Sequence, residues 1–192
     1  MALIQSLVPR ILREEAVKLL RPRILACTFG TGPLRLVAKV FVPIHLFRVG
    51  VESGSARRTQ LLASDAVTGT LDLYGFDQLP DANELTQVES KNCIPSLLDV
   101  DRGRELVTER VRRMTYHGGF FRLRGLKIGC ERIPVSLYMP YWLGFFGTSE
   151  QASLTALNAV RGCVEGAKAR SLFFDWIIGQ SHITGAAEVW TE

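Results

Sequence analysis

The chain has 192 residues, 47% of them hydrophobic and 22% charged, with a formal net charge of +4. That length fits one large domain or two small ones sharing a core, and the composition excludes a disordered chain. No apolar run approaches the roughly 20 residues that a transmembrane helix needs. Residues 1–10 also lack the layout of an export signal, so a cytoplasmic protein without a membrane span is expected.

Pro9 suits a first helical position, and Ile11, Leu12, Ala16, Leu19 and Leu20 recur at helical spacing until Arg21-Pro22. A long strand follows, in which Leu36, Ala38, Val40 and Val42 alternate with Arg35, Val37, Lys39 and Phe41. The polar tip Glu52 to Ala56 turns the chain into a return strand near 57–65. Thr68-Gly69 is then expected to turn it into a third strand, Thr70 to Phe76. Residues 77–100, with Pro80, Asp81, Asn83 and Pro95, read as a connector.

The second half opens with a helix capped by Asp99 or Asp101, with Leu106, Val107, Val111 and Met114 on one side and Gly118-Gly119 at its end. Phe120 to Ile128 reads as strand, and Ile133, Val135, Leu137, Met139, Tyr141 and Leu143 form another period-two face. After a tip at Gly147 to Glu150 the chain returns through 151–160. Beyond Gly162 it becomes helical, with Leu172, Phe173, Trp176 and Ile177 on one side, and 179–192 is a tail.

The two halves share letters. Pro43 matches Pro140 and Leu46 matches Leu143. After a shorter loop Leu61, Ala63, Ala66, Val67 and Gly69 match Leu154, Ala156, Ala159, Val160 and Gly162, with Asp65 opposite Asn158. The expected architecture is α+β: two pseudo-symmetric helix-plus-antiparallel-hairpin repeats, forming a mainly antiparallel sheet with helices on one face. The units run over 1–76 and 101–178, joined by 77–100, within one compact domain. Proline cannot donate to a ladder, so Pro43 and Pro140 imply the same edge or kink in each half.

Three surfaces invite function. Phe41, His45 and Phe47 share one side of the first long strand, and Tyr138, Trp142 and Phe146 share one side of the second. A sheet apolar on both faces needs cover from helices, a second subunit or a small apolar ligand. Secondly, residues 102–132 hold nine Arg or Lys against three Glu, while 52–101 hold three basic against nine acidic residues. Arg110, Arg112, Arg113, Arg122, Arg124 and Lys127 could follow a phosphate backbone, although no nucleic-acid module is recognisable. Thirdly, a pocket between the halves could lie near His45, Tyr138 and Trp142.

Catalytic signals are weak. His45, His117 and His182 stand at no metal-ligand spacing, and neither a nucleophile elbow nor a phosphate-binding loop is present. Cys27, Cys93, Cys130 and Cys163 form no Cys-x-x-Cys pair and read as inert thiols, and Asp65, Asp72 and Asp77 cluster near the first turn, two of them beside turn positions where Asp serves the backbone. The expectation is a non-enzymatic binding or assembly module without a cofactor or metal. It would self-associate, or bind a protein partner, through the aromatic face or the sheet edges.

The run Ala16-Val-Lys-Leu-Leu20, then Phe41-Val-Pro-Ile-His-Leu-Phe47, then Leu61-Leu-Ala-Ser-Asp-Ala-Val-Thr-Gly-Thr-Leu-Asp-Leu73, resembles the PepSY/YpeB-type module. The second half matches through Asn158-Ala-Val-Arg-Gly162, with a helix where a strand is expected. The resemblance implies a helix joined to an antiparallel hairpin, a bacterial source, and a role in modulating peptidases or sensing envelope partners. It brings no catalytic residues.

Overall fold

Two long strands form the spine of the molecule. In the computed structural model, which describes residues 1–21, 32–117, 125–147 and 152–184 (180–184 by backbone alone), β2 is Leu34–Ser53 and β6 is Lys127–Gly147. They pair antiparallel from Leu34↔Phe146 to Glu52↔Lys127. The other elements, in chain order, are β1 (Ala2–Leu7), α1 (Arg13–Leu20), β3 (Ala56–Asp65), β4 (Tyr74–Phe76), β5 (Leu85–Ser90), α2 (Val100–His117), β7 (Ala152–Asn158), β8 (Cys163–Val164) and α3 (Ala167–Thr184).

The fold is α+β, and its sheet is mostly antiparallel. The strand order is β4-β3-β2-β6-β1-β5, with β7 on β6 and β8 on β7. The exceptions to antiparallel pairing are single parallel bridges, Ser6↔Tyr138 and Phe41↔Cys93.

The apolar alternation of β2 and β6 gives the pair two buried faces, and each face has its own cover. On one side Val40, Val42, Ile44, Met139, Tyr141 and Leu143 pack with Leu7, Ile94 and the α3 residues Ala169, Leu172 and Phe173. The Phe173 ring meets Tyr141 edge-on at 5.2 Å. On the other side α1 and α2 cover opposite ends. Ala16 and Leu20 pack with Val37, Trp142 and Phe146, while Val107 and Val111 pack with Phe47 and Val49. The helices therefore occupy both faces, not one, because α3 is a third apolar helix and the α1/α2 face is already filled.

Several boundaries also differ from expectation. The first helix starts at Arg13, four positions beyond Pro9, because residues 2–7 form a strand and the chain must then cross the sheet. Only Tyr74–Phe76 of the expected third strand pairs with β3, and the connector contains a strand, β5, that pairs with β1 from Ala2↔Ser90 to Leu7↔Leu85. α3 continues through Thr184, past the expected end near 178. Gly118-Gly119, Phe120, Phe121, the tip beyond Gly147, Cys27 and the last part of the tail lie outside the described residues.

The prolines sit where a strand changes its outer neighbour. Phe41 donates its N–H to Asn92 O (2.9 Å) and accepts from Ile94 N–H (2.9 Å), and three residues later β3 takes over at Ile44↔Asp65. In β6, Ser6 flanks Tyr138 and β7 takes over at Tyr141↔Asn158. Pro43 O accepts Ala66 N–H at 2.8 Å, and Pro140 O accepts Ala159 N–H at 3.0 Å. A missing N–H costs little at a point where no ladder partner is present to receive it.

The return strands end in side-chain-built turns. The Asp65 carboxylate accepts from Thr68 N (2.7 Å), Gly69 N (2.9 Å) and Leu71 N (2.9 Å), which makes it the frame of the turn. Asn158 Oδ1 accepts from Val160 N and Arg161 N, each at 3.0 Å. Gly69 (φ 68°) and Gly162 (φ 71°) take the left-handed conformation that both turns require.

Candidate functional site

The aromatic rows are placed by β2 and β6, and most of their rings are buried within the chain. Phe41, Phe47, Trp142 and Phe146 are buried, with Phe47 under α2 and Trp142 and Phe146 under α1. His45 is buried beside Phe47, with ring centroids 6.3 Å apart, and its Nε2 donates to Leu98 O at 3.0 Å. Trp142 Nε1 donates to Ile11 O at 2.9 Å. Each ring thus pins the segment that leads into the helix above it. Tyr138 is half-buried, its carbonyl accepts from Ser6 Oγ at 3.2 Å, and burial raises its phenol pKa.

The helix entries are further tied to the turns. Ala159 O accepts from both Arg10 N and Ile11 N, and Ala66 O accepts from both Leu97 N and Leu98 N, all at 2.9 Å. Each entry segment therefore docks on the hairpin of the other half. At the contact of α2 with β2 the helix carries Gly103, where a Cβ would stand 3.3 Å from His45 Cδ2 and 3.5 Å from Phe47 Cζ. In α1 the buried small residue is Ala16.

Of the six basic residues expected to bind an anion, Arg110 and Arg113 are engaged within the chain. Arg110 donates to Thr70 O at 3.0 Å and also to Leu71 O. Arg113 pairs with Glu109, Arg102 with Glu105 (2.8 Å) and Arg104 with Asp101 (2.5 Å). Arg112 and Lys127 are exposed, at opposite ends of the stretch leading from α2 into β6. Arg122 and Arg124 lie outside the described residues.

Between the halves, Asp65, Asn158, Tyr141, Tyr74, Val42 and Met139 surround a cavity of about 10 Å3, which is at the lower limit for one water. Burial, and then the nearby Glu165, raise the Tyr141 phenol pKa well above its ordinary range. Every hydrogen bond here serves a turn or a neighbouring side chain. Among the described residues no group of three or more His, Cys, Asp or Glu is placed to hold a metal. Burial also raises the thiol pKa of Cys93, Cys130 and Cys163, away from nucleophilic character.

Open concavities among the described residues include a cleft and a slot. A shallow cleft of about 630 Å3 runs past Arg48, Arg58, Leu62, Phe76 and Leu79. A slot of about 250 Å3 lies between β2 and the β5 connector, lined by Leu36, Ala38, Phe41, Val88, Lys91 and Asn92 among others. The outer edge of β2 from Leu34 to Val40 carries no strand among the described residues, and neither does the outer edge of β5. Sequence reasoning did not find this slot, because one wall is a strand hidden in a polar connector.

No family model, curated protein or solved structure matches the chain. Among the described residues no helix is long and apolar enough to cross a membrane.

Proposed function

We propose that the protein is a non-enzymatic binding or assembly module that works through its strand edges. The observation carrying this reading is that Phe47, Trp142 and Phe146 lie beneath the chain's own helices, with His45 buried beside Phe47, so most of the two aromatic rows is taken up by the chain itself. What stays open among the described residues is main chain along β2 and β5. A small-molecule site near His45, Tyr138 and Trp142 is disfavoured by the burial of His45 and Trp142, whose ring nitrogens are bonded to Leu98 O and Ile11 O. Binding of nucleic acid through α2 is disfavoured by the ion pairs and carbonyls that occupy its arginines.

The proposal includes a duplicated unit with a pseudo-twofold axis through Val42 and Met139. The offset that carries Pro43 to Pro140 also carries Val42 to Met139, and these two residues face one another in the ladder. The same offset carries Ile44, Phe41 and His45 to Tyr141, Tyr138 and Trp142. Each of these pairs makes equivalent contacts: with Asp65 and Asn158, with Cys93 and Ser6, and with Leu98 O and Ile11 O. The helix, hairpin and Asp65-Ala-Val-Thr-Gly69 turn also support a PepSY/YpeB-like unit, and a cytoplasmic bacterial protein is part of the same proposal.

Light scattering after size exclusion, over a hundredfold concentration range, tests the assembly form of this reading. Mass rising toward twice the monomer is the expected result. A monomer at every concentration rejects self-association.

A further inference from the structure

We propose that the slot beside β2 binds an extended, acidic polypeptide segment by strand addition, which rests on the binding-module reading and names its partner class. Phe41 turns both its N–H and its C=O outward, to Asn92 and Ile94. In an antiparallel ladder outward and inward groups alternate, so Lys39 and Val37 present theirs on the same side. Lys39 O already accepts from Asn92 Nδ2 at 3.2 Å, and the groups of Val37 have no strand partner among the described residues. The Phe41–Cys93 bridge is thus the first rung of a ladder that stops where the slot begins.

The corresponding edge of β6 is protected. Between Leu137 and Ile133 the ladder slips through a bulge containing exposed Pro134, and exposed Glu131 and Arg132 follow. Proline, bulges and charges are the usual means of closing an edge to further pairing. The β2 edge has a bulge only at its start, near Arg35, and small or apolar residues, Leu36 and Ala38, along the slot. Two edges with equivalent positions in the sheet have therefore been treated oppositely.

An extended segment fits better than a folded edge, because the slot has β2 on one side and the β5 connector on the other. Its volume of about 250 Å3 is far above the space of a single water, enough to take side chains. Lys91 and Arg35 are exposed, and Lys39, whose ammonium lies over the Trp142 ring at 4.9 Å, adds a second basic lining residue against Glu89, so acidic side chains complement the rim.

Fluorescence anisotropy with the full chain and a labelled heptapeptide alternating Val and Glu tests this. Saturable binding is expected, with at least tenfold weaker binding of the Val/Lys peptide and of a Val/Glu peptide N-methylated at alternate residues. Val37→Pro, which removes an outward N–H, should abolish binding with the circular dichroism spectrum retained. Lys91→Glu, an exposed change that leaves packing intact, should shift preference toward the Lys peptide. Equal binding of the N-methylated peptide, or unchanged charge preference in Lys91→Glu, overturns strand addition or the acidic partner respectively. A chain that self-associates but binds neither peptide overturns the slot proposal and leaves the binding-module reading standing.

Discussion

His45 and Trp142 hold the same position relative to the two helix entries. Each ring nitrogen reaches across the sheet face to a carbonyl two residues before a helix, Leu98 before α2 and Ile11 before α1. A histidine and a tryptophan share only a ring N–H at the far end of an apolar body, and that shared feature is what the position requires. The histidine is therefore a peg, with Nε2–H as the donor.

Removing either donor should cost stability and no binding. Trp142→Phe leaves Ile11 O without its partner, and His45→Phe does the same to Leu98 O. Each should lower the unfolding free energy by about 1–3 kcal/mol. Urea denaturation measures the loss. An unchanged midpoint in both variants would show that the bonds contribute nothing net.

The small residues beneath the helices should resist enlargement. Gly103→Leu drives a side chain into His45 and Phe47, and Ala16→Leu does so in α1, where Ala16 has no exposed surface. Overpacking of this kind costs about 1–3 kcal/mol. Both variants should melt earlier, even though leucine is a better helix former than glycine and nearly as good as alanine. A Gly103→Leu protein as stable as wild type would mean that α2 can move away from β2 freely.

Much of this was legible in the letters. Period-two apolar runs gave β2 and β6, Glu52 to Ala56 gave the hairpin, and Asp65-Ala-Val-Thr-Gly69 marked a turn held by its aspartate. Two things were hidden for physical reasons. β1 and β5 are short, and the letters of neither Ala2–Leu7 nor Leu85–Ser90 alternate between apolar and polar, so period two does not reveal them. The aromatic rows were visible as stripes, but only the packing of α1 and α2 distinguishes core from binding face. Charge density likewise pointed to Arg110 and Arg113, whereas their partners Leu71 and Glu109 are set by the fold.

Heparin retention should be weak. Arg102, Arg104 and Arg113 are paired within α2, and Arg110 holds carbonyls, so binding a polyanion must first break these contacts. Elution is expected at low salt, with a shallow dependence of affinity on salt concentration. Retention to high salt, lost in Arg112→Glu, would restore the nucleic-acid reading.

Acid should loosen the start of α2 first. Asp101 N–H (2.8 Å) and Arg102 N–H bond to the Asp99 carboxylate, and these bonds hold its pKa below the ordinary 3.8. Arg113 similarly lowers the pKa of Glu109 below 4.5. A depressed folded pKa stabilises above the unfolded value and is lost as pH falls through the folded one. The thermal midpoint should therefore fall as pH drops below about 4, and Asp99→Ala should flatten that limb. An identical limb in the variant would assign the acid sensitivity elsewhere.

The aspartate and asparagine that end the two return strands should not be interchangeable. The second carboxylate oxygen of Asp65 accepts Leu71 N–H at 2.9 Å, so an amide nitrogen there would face a donor. Asn158 is the reverse: its Nδ2 donates to Tyr141 Oη (3.2 Å) and Glu165 Oε1 (3.3 Å). Asn158→Asp would set a buried carboxylate against Glu165, raising the folded pKa of one of the two. A raised carboxyl pKa destabilises above that pKa, and the penalty is relieved as pH falls. Asn158→Asp should thus lose about 1–3 kcal/mol at pH 7 and recover part of it at pH 5. Asp65→Asn should lose a similar amount, through the orphaned Leu71 N–H, without recovering on acidification. Urea titrations at the two pH values separate these behaviours. A pH-independent loss in Asn158→Asp would mean that Glu165 turns away to solvent once the amide is gone.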